Sequence, residues 1–263
     1  MDYEIIDFHT HPFPNDAYNI CKHTESCNTS FENTIRTMKN LGVGKICGSV
    51  IGTARLKENE TWWDKVREYN DVALALKEAY GDFYIPGFHI HPDFVQESMA
   101  EIDAMAEKGV RLIGELVPYV MGYKNYDNPN LHKLMDYATE KGMLVNIHTP
   151  PNTDDDIDAF VSAHPNTTII AAHPGEYSTL LRHIERMKKH ENYYIDLSGT
   201  GIHRHGAVKR IIDEVGAERI LYGSDFPVCN PAAYVGSVLL DDLLTPQQKR
   251  AIFSENAKRL LGI

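Results

Sequence analysis

Short, nearly unbroken apolar runs alternate along this chain with stretches whose apolar residues recur every three or four positions. The runs are EIIDFHTH (4–11), KICGSVI (45–51), FYIPGFHIH (83–91) and VRLIGEL (110–116), then MLVNIH (143–148), TTIIAAH (167–173), YYIDLS (193–198) and RILYGSD (219–225). Because consecutive positions are apolar, each run predicts a strand buried on both faces, as in a parallel sheet covered by helices. The intervening stretches predict those helices. Met99, Ile102, Met105 and Ala106 mark one over 96–108; Leu131, Leu134, Met135 and Ala138 mark another over 130–141. Val208, Ile211, Ile212 and Val215 mark a third over 206–215, and Gly109, Gly142 and Gly216 stop the three segments. The last helix opens on Thr245, Pro246 and Gln248, a cap, a first-turn proline and a capping-box partner.

Eight strand–helix units of about 33 residues predict an α/β fold, a TIM (β/α)8 barrel, forming one domain over 1–263. A doubly wound open sheet is the competing architecture, but it calls for a glycine-rich phosphate loop after the first strand, and this sequence has none there. The longest irregular stretch is 12–30, after the first strand, where a long loop is usually functional or mobile.

The predicted strands end in metal-ligand chemistry. His9 and His11 close the first, Glu115 the fourth, His148 the fifth, His173 the sixth and Asp225 the eighth. In a TIM barrel these ends form the active-site face, so all six are expected in one pocket. Residues i and i+2 on a strand share a face, which lets His9 and His11 reach one ion. The spacing alone is weak evidence, since His89 and His91 repeat it on the third strand. The convergence of several donors at one end of several strands is what predicts the site. Asp7, two residues before His9, is expected as a core carboxylate or a support behind the ligands.

The segments IIDFHTH, LVNIHTP, IIAAHPG and ILYGSDFP, with YYIDLSG and the C-terminal ENAKRLLG, resemble the amidohydrolase-2 family of the amidohydrolase superfamily, which includes metal-dependent decarboxylases and lactonases. The resemblance spans the barrel. His173-Pro174-Gly175 departs from the His-Gly-Gly common in that family. The GEL that ends strand four is similar to the strand-four glutamate of TatD-type nucleases, so Glu115 is expected either to bridge a second metal or to stand behind the ligands. The GSDFP segment and the acidic charge argue against a nuclease.

The resemblance and the ligand chemistry together imply His9 and His11 as neutral ligands and Asp225 as a ligand or neighbour that also serves as general base. His148 is a ligand of the first or a second ion. His173 is a second-metal ligand or the group that orients water and polarises the substrate. Zinc suits these donors, as one ion or two; manganese and iron are compatible. The implied activity is hydrolysis of a C–O or C–N bond in a small ester, lactone or amide, with non-oxidative decarboxylation as the alternative and a non-catalytic binder as the third reading. Retention of both histidines and the second-metal option at Glu115 favour hydrolysis.

Charge and composition then narrow the partners. With 26 Lys plus Arg against 37 Asp plus Glu, the net charge of −11 disfavours nucleic acid and leaves a small-molecule substrate. There is no apolar run of transmembrane length and no secretory leader pattern, so no membrane partner is expected. Cys21, Cys27, Cys47 and Cys229 are too scattered for a disulfide framework, which points to a reducing cytoplasm. A homodimer is compatible with the sequence. His203, Arg204 and His205 after strand seven, and Arg55, Lys57, Trp62 and Trp63 after strand two, are candidates for substrate contact, though surface or packing roles are favoured for each. Cys229 is expected to fill space near the pocket, and Cys21, His23 and Cys27 to belong to loop packing.

Overall fold

The eight apolar runs form eight parallel strands in the computed structural model, which describes residues 3–21, 30–52 and 55–263. They are β1 (Ile5–Asp7), β2 (Val43–Gly48), β3 (Tyr84–Phe88), β4 (Leu112–Leu116), β5 (Leu144–Ile147), β6 (Thr168–Ala171), β7 (Tyr193–Asp196) and β8 (Ile220–Leu221), paired in sequence order. The ends of the sheet meet. Phe8 N donates to Tyr222 O at 2.8 Å, Asp225 N to His9 O at 2.9 Å and His11 N to Phe226 O at 2.7 Å. This is a closed TIM barrel.

The strands read as continuous apolar runs because both faces are covered. Ile6, Phe8, Cys47, Leu112, Leu144, Ile170 and Leu221 fill the interior with Ala257. Ile5, Ile46, Tyr84, Ile113, Val145, Ile169, Ile195 and Ile220 belong instead to the larger core under the helices. Those helices are α1 (Phe31–Asn40), α2 (Trp62–Tyr80), α3 (Val95–Glu107), α4 (Pro129–Glu140), α5 (Asp154–Ala163), α6 (Tyr177–Lys189), α7 (Ala207–Val215) and α8 (Pro231–Leu239). The predicted bounds of α3, α4 and α7 hold within a residue. The apolar run at 83–91 is longer than its strand, because the ladder of β3 ends at Phe88 and His89, Ile90 and His91 lie in the irregular segment that follows.

The predicted single C-terminal helix is a composite. Thr245 and Gln248 form the expected capping box on α9 (Pro246–Arg250), and a π-helical turn (Ala251–Glu255) leads into α10 (Asn256–Leu261). Ile252 O in that turn accepts from Tyr222 N, tying the C-terminal segment to β8. Among the described residues, no helix is long and apolar enough to cross a membrane.

One local irregularity positions the functional face. Leu112 points into the barrel and Ile113 out, so strict alternation would turn Gly114 inward and Glu115 outward. The β4–β5 register shifts between Ile113 and Leu116, and Leu116 lies in the outer core. Glu115 is thereby aimed inward, as an irregularity in a strand can do. Only glycine suits position 114. Its φ is +96°, and a Cβ there would lie 2.3 Å from Asn146 O.

Candidate metal centre

Five strand ends bring the six anticipated donors together. His9 Nε2 and His11 Nε2 are 3.3 Å apart. Asp225 Oδ1 lies 3.8 Å from the first and 3.6 Å from the second. Glu115 Oε2 lies 3.7 Å from His9 Nε2 and 3.4 Å from His11 Nε2. The other oxygen of the same carboxylate, Oε1, faces a different pair: His148 Nδ1 at 2.8 Å and His173 Nε2 at 3.4 Å. Glu115 therefore divides its two oxygens between two histidine pairs, with Asp225 beside the first pair.

The donor set fits a divalent cation. His11 Nδ1 donates to Ser49 O at 3.1 Å, and His9 Nδ1 lies 2.9 Å from Asp196 Oδ2, so both rings aim the Nε2 atom inward. With both rings neutral, lone pairs from His9, His11, Glu115 and Asp225 thus face one another with no ring hydrogen between them. His9, His11 and Glu115 border a small void of about 10 Å³ that also touches Phe8 and Leu112 in the barrel interior. The electrostatics agree. Burial opposes charge on His9, but Asp196 and Glu115, together with Asp225, raise its pKa to about 10. Burial also works against the charge of Glu115, yet His148, His9 and His11 hold its carboxyl well below the usual range. The fold therefore stabilises positive charge where the donors meet, and metal binding there would displace a proton.

Asp196 is the functional residue that sequence reasoning missed. It is fully buried at the end of β7. Its Oδ2 holds His9 Nδ1 and accepts from Asn146 Nδ2 at 3.1 Å. Its Oδ1 accepts a hydrogen bond from Ser198 Oγ, which in turn lies 3.0 Å from His173 Nδ1. One carboxylate thus orients a histidine on each side of Glu115. The signal that could have found it is an acidic residue closing an otherwise apolar strand, YYIDLS, at the same end as the other donors. Asp196→Asn keeps the size and removes the charge; metal affinity is expected to fall by about 10–100-fold. Competition with a chelating dye measures it, and unchanged affinity would show that the carboxylate does not govern the two rings.

Two donors sit on strained backbone. His173 and Asp225 have φ of +70° and +60°, the left-handed region that non-glycine residues rarely occupy, and such positions concentrate at functional sites. Both residues, with His148, line a cavity of about 400 Å³ together with Thr149, Pro150 and Thr200. That volume suits a small organic molecule. The exposed Tyr119 places its hydroxyl 3.3 Å from His148 Nε2. Burial, opposed by His173, His9 and His11, raises the pKa of the Asp225 carboxyl.

The other singled-out residues are dispersed. His89 Nε2 and His91 Nε2 bond to the carbonyls of Val50 and Met121, so the second His-x-His is a core pair. Asp7 is a core carboxylate that accepts from Ser224 N at 2.9 Å; burial raises its pKa to about 7. Arg204 pairs with Glu176 and donates to Gly175 O, and His203, Arg204 and His205 line a separate groove against α8. Arg55 and Lys57 are exposed and do not line the cavity. Trp62 stacks on His91, and Trp63 packs near Phe94. Cys229 lines the cavity. Cys21 is buried, while His23 and Cys27 lie outside the described residues.

The amidohydrolase family model Amidohydro_2 matches residues 6–263. The chain belongs to this family and is a metal-dependent enzyme of the amidohydrolase superfamily. Among solved structures it is similar to 2,6-dihydroxybenzoate decarboxylase from Rhizobium, at 15% identity over 99% of each chain and a TM-score of 0.75. It is also similar to a dihydroxybenzoic acid decarboxylase from Polaromonas sp. JS666 with bound manganese and 2-nitroresorcinol, at 12% identity over 99% of this chain and 97% of the other and a TM-score of 0.72. A third is a probable 2-pyrone-4,6-dicarboxylic acid hydrolase from Acinetobacter baumannii with citric acid bound, at 16% identity over 99% and 100% of the chains and a TM-score of 0.70. At such identities the likeness is one of fold. No curated protein matches the chain in sequence.

Proposed function

We propose that this enzyme hydrolyses a C–O or C–N bond in a small ester, lactone or amide, with divalent metal that Glu115 and the histidines on either side of it would hold. The observation that carries the reading is the division of the Glu115 oxygens between His9 and His11 on one side and His148 and His173 on the other. A carboxylate so placed suits two ions sharing one ligand. His9, His11 and Asp225 would hold the first, His148 and His173 the second. The ions would supply a nucleophile active at neutral pH and polarise the scissile carbonyl.

The chain's own groups would do the rest. Asp225, at the boundary between the donors and the cavity, would take a proton from the attacking water on its carboxylate and return it to the departing oxygen or nitrogen. Asp196 and Ser198 would keep His9 and His173 in the tautomer that aims Nε2 inward. The Tyr119 hydroxyl would offer a hydrogen bond to a substrate entering over His148. Zinc is the ion that histidine and carboxylate donors suit first, with manganese or iron able to replace it.

Decarboxylation is the second reading, favoured by the decarboxylases among the similar structures and by the manganese bound in one of them. Protein stripped of metal and reloaded with zinc or manganese separates the two when assayed on lactones, esters, amides and aromatic acids with CO2 trapped. Hydrolysis predicts acid release without CO2. Stoichiometric CO2 from an aromatic acid, with no ester, lactone or amide turned over, would replace the proposal.

A further inference from the structure

At the opposite end of the barrel, a cavity of about 490 Å³ opens between the starts of β2, β3 and β4, the C-terminal half of α2 and the end of α10. Its volume lies in the range of small-molecule pockets. Leu74, Ile85, Val110 and Leu261 line it with apolar side chains, and Lys45, Lys77, Lys108 and Arg111 are its cationic lining residues. Asp82 is the opposing acidic residue, and its side chain is 97% exposed.

Four cations line this one cavity in a chain whose net charge is −11. Elsewhere Lys65, Arg186 and Lys188 each contact two carboxylates. Around this cavity the charged groups are anchored on neutral carbonyls instead. Lys45 Nζ donates to Asp82 O at 2.9 Å and Lys77 Nζ to Gly81 O at 2.9 Å. Lys108 Nζ donates to Ala104 O at 3.3 Å, and Arg111 places Nε and Nη2 on Gly142 O at 3.1 and 2.7 Å. Among the described residues, Lys45, Lys108 and Arg111 form no ion pair with Asp or Glu, and Lys77 meets only the exposed Asp82, at 3.4 Å. Carbonyl anchoring holds the side chains in place without neutralising them. Cationic residues without a carboxylate partner, beside apolar side chains, complement an anion with an apolar body.

We propose that this cavity is a binding site for a small amphiphilic carboxylate, its hydrocarbon part on Leu74, Ile85 and Val110 and its carboxylate among Lys45, Lys108 and Arg111. The site is separate from the metal centre, since it lies where the strands begin rather than where they end. It does not depend on which reaction the centre performs.

Octanoate is the probe, titrated calorimetrically into the metal-loaded protein, with 1-octanol and inorganic phosphate as the two half-ligands. Saturable binding of one octanoate per chain is expected, at least tenfold tighter than either half-ligand. Lys45→Ala/Lys108→Ala should weaken it at least tenfold. Leu74→Trp, which fills the apolar part of the cavity without touching a charge, should remove it. Both variants should keep wild-type metal content and thermal midpoint. Octanoate binding that fails to saturate, or that is unchanged in both variants, overturns the proposal; the second result would place the ligand at the metal centre. Phosphate binding as tightly as octanoate overturns the amphiphile assignment, and octanoate-independent dimerisation lost in both variants would make this face an interface between copies.

Discussion

Replacement of Asp225 by Asn is expected to lower kcat by about 10²–10⁴-fold, the range typical of losing a general base, with a smaller effect on substrate binding. Asparagine keeps the shape and one oxygen but cannot take up a proton. The backbone bonds that hold this corner, Asp225 N to His9 O at 2.9 Å and Cys229 N to Asp225 O at 3.0 Å, do not involve the side chain. The barrel should therefore close as before. Because Asp225 Oδ1 is also 3.6 Å from His11 Nε2, metal content must be measured on the same sample. A fully metallated variant with near-wild-type kcat would move the base elsewhere. His173 would be next, and decarboxylation would gain, since it need not begin by deprotonating water.

Glu115→Gln is expected to reduce bound metal from about two ions per chain towards one and to abolish most turnover. The carboxylate carries a full charge over two equivalent oxygens, each facing its own histidine pair. The amide presents one neutral oxygen and one donor, so it can serve one ion at most. The lost charge matters as well, since Glu115 is one of the groups that stabilise a cation at His9. Elemental analysis of protein purified without chelators, alongside the activity of the same preparation, reads both effects. One ion per chain before and after the change would leave Glu115 as a hydrogen-bond partner of His148 and would remove the bridging argument.

Both experiments rest on residues that stand out in the amino-acid sequence itself. His9, His11, Glu115, His148, His173 and Asp225 each close an apolar run, and a barrel gathers strand ends on one face. The helix punctuation is equally legible, as in the Thr245–Gln248 capping box and in Gly216, whose φ of +78° ends α7. These are local signals, and periodicity and capping act within one or two turns of chain.

What the sequence alone determined about this protein is therefore the barrel, its strand order and the set of donor residues at one face. Only the tertiary structure decided how those donors divide. The register shift in β4 turns Glu115 inward against simple alternation, and that depends on the fit of β4 against β5 rather than on the residues of β4 alone. Asp196 reaches His9 across 187 positions of sequence, through a closure that β1 and β8 make with each other. The same tertiary context separates two identical spacings, leaving His89 and His91 on backbone carbonyls while His9 and His11 face open donors. Arg204, a candidate for substrate contact by its place in the chain, is held by Glu176. A residue's type and neighbours state what it can bind, whereas the register of paired strands and the closing of the barrel set which partners come within reach.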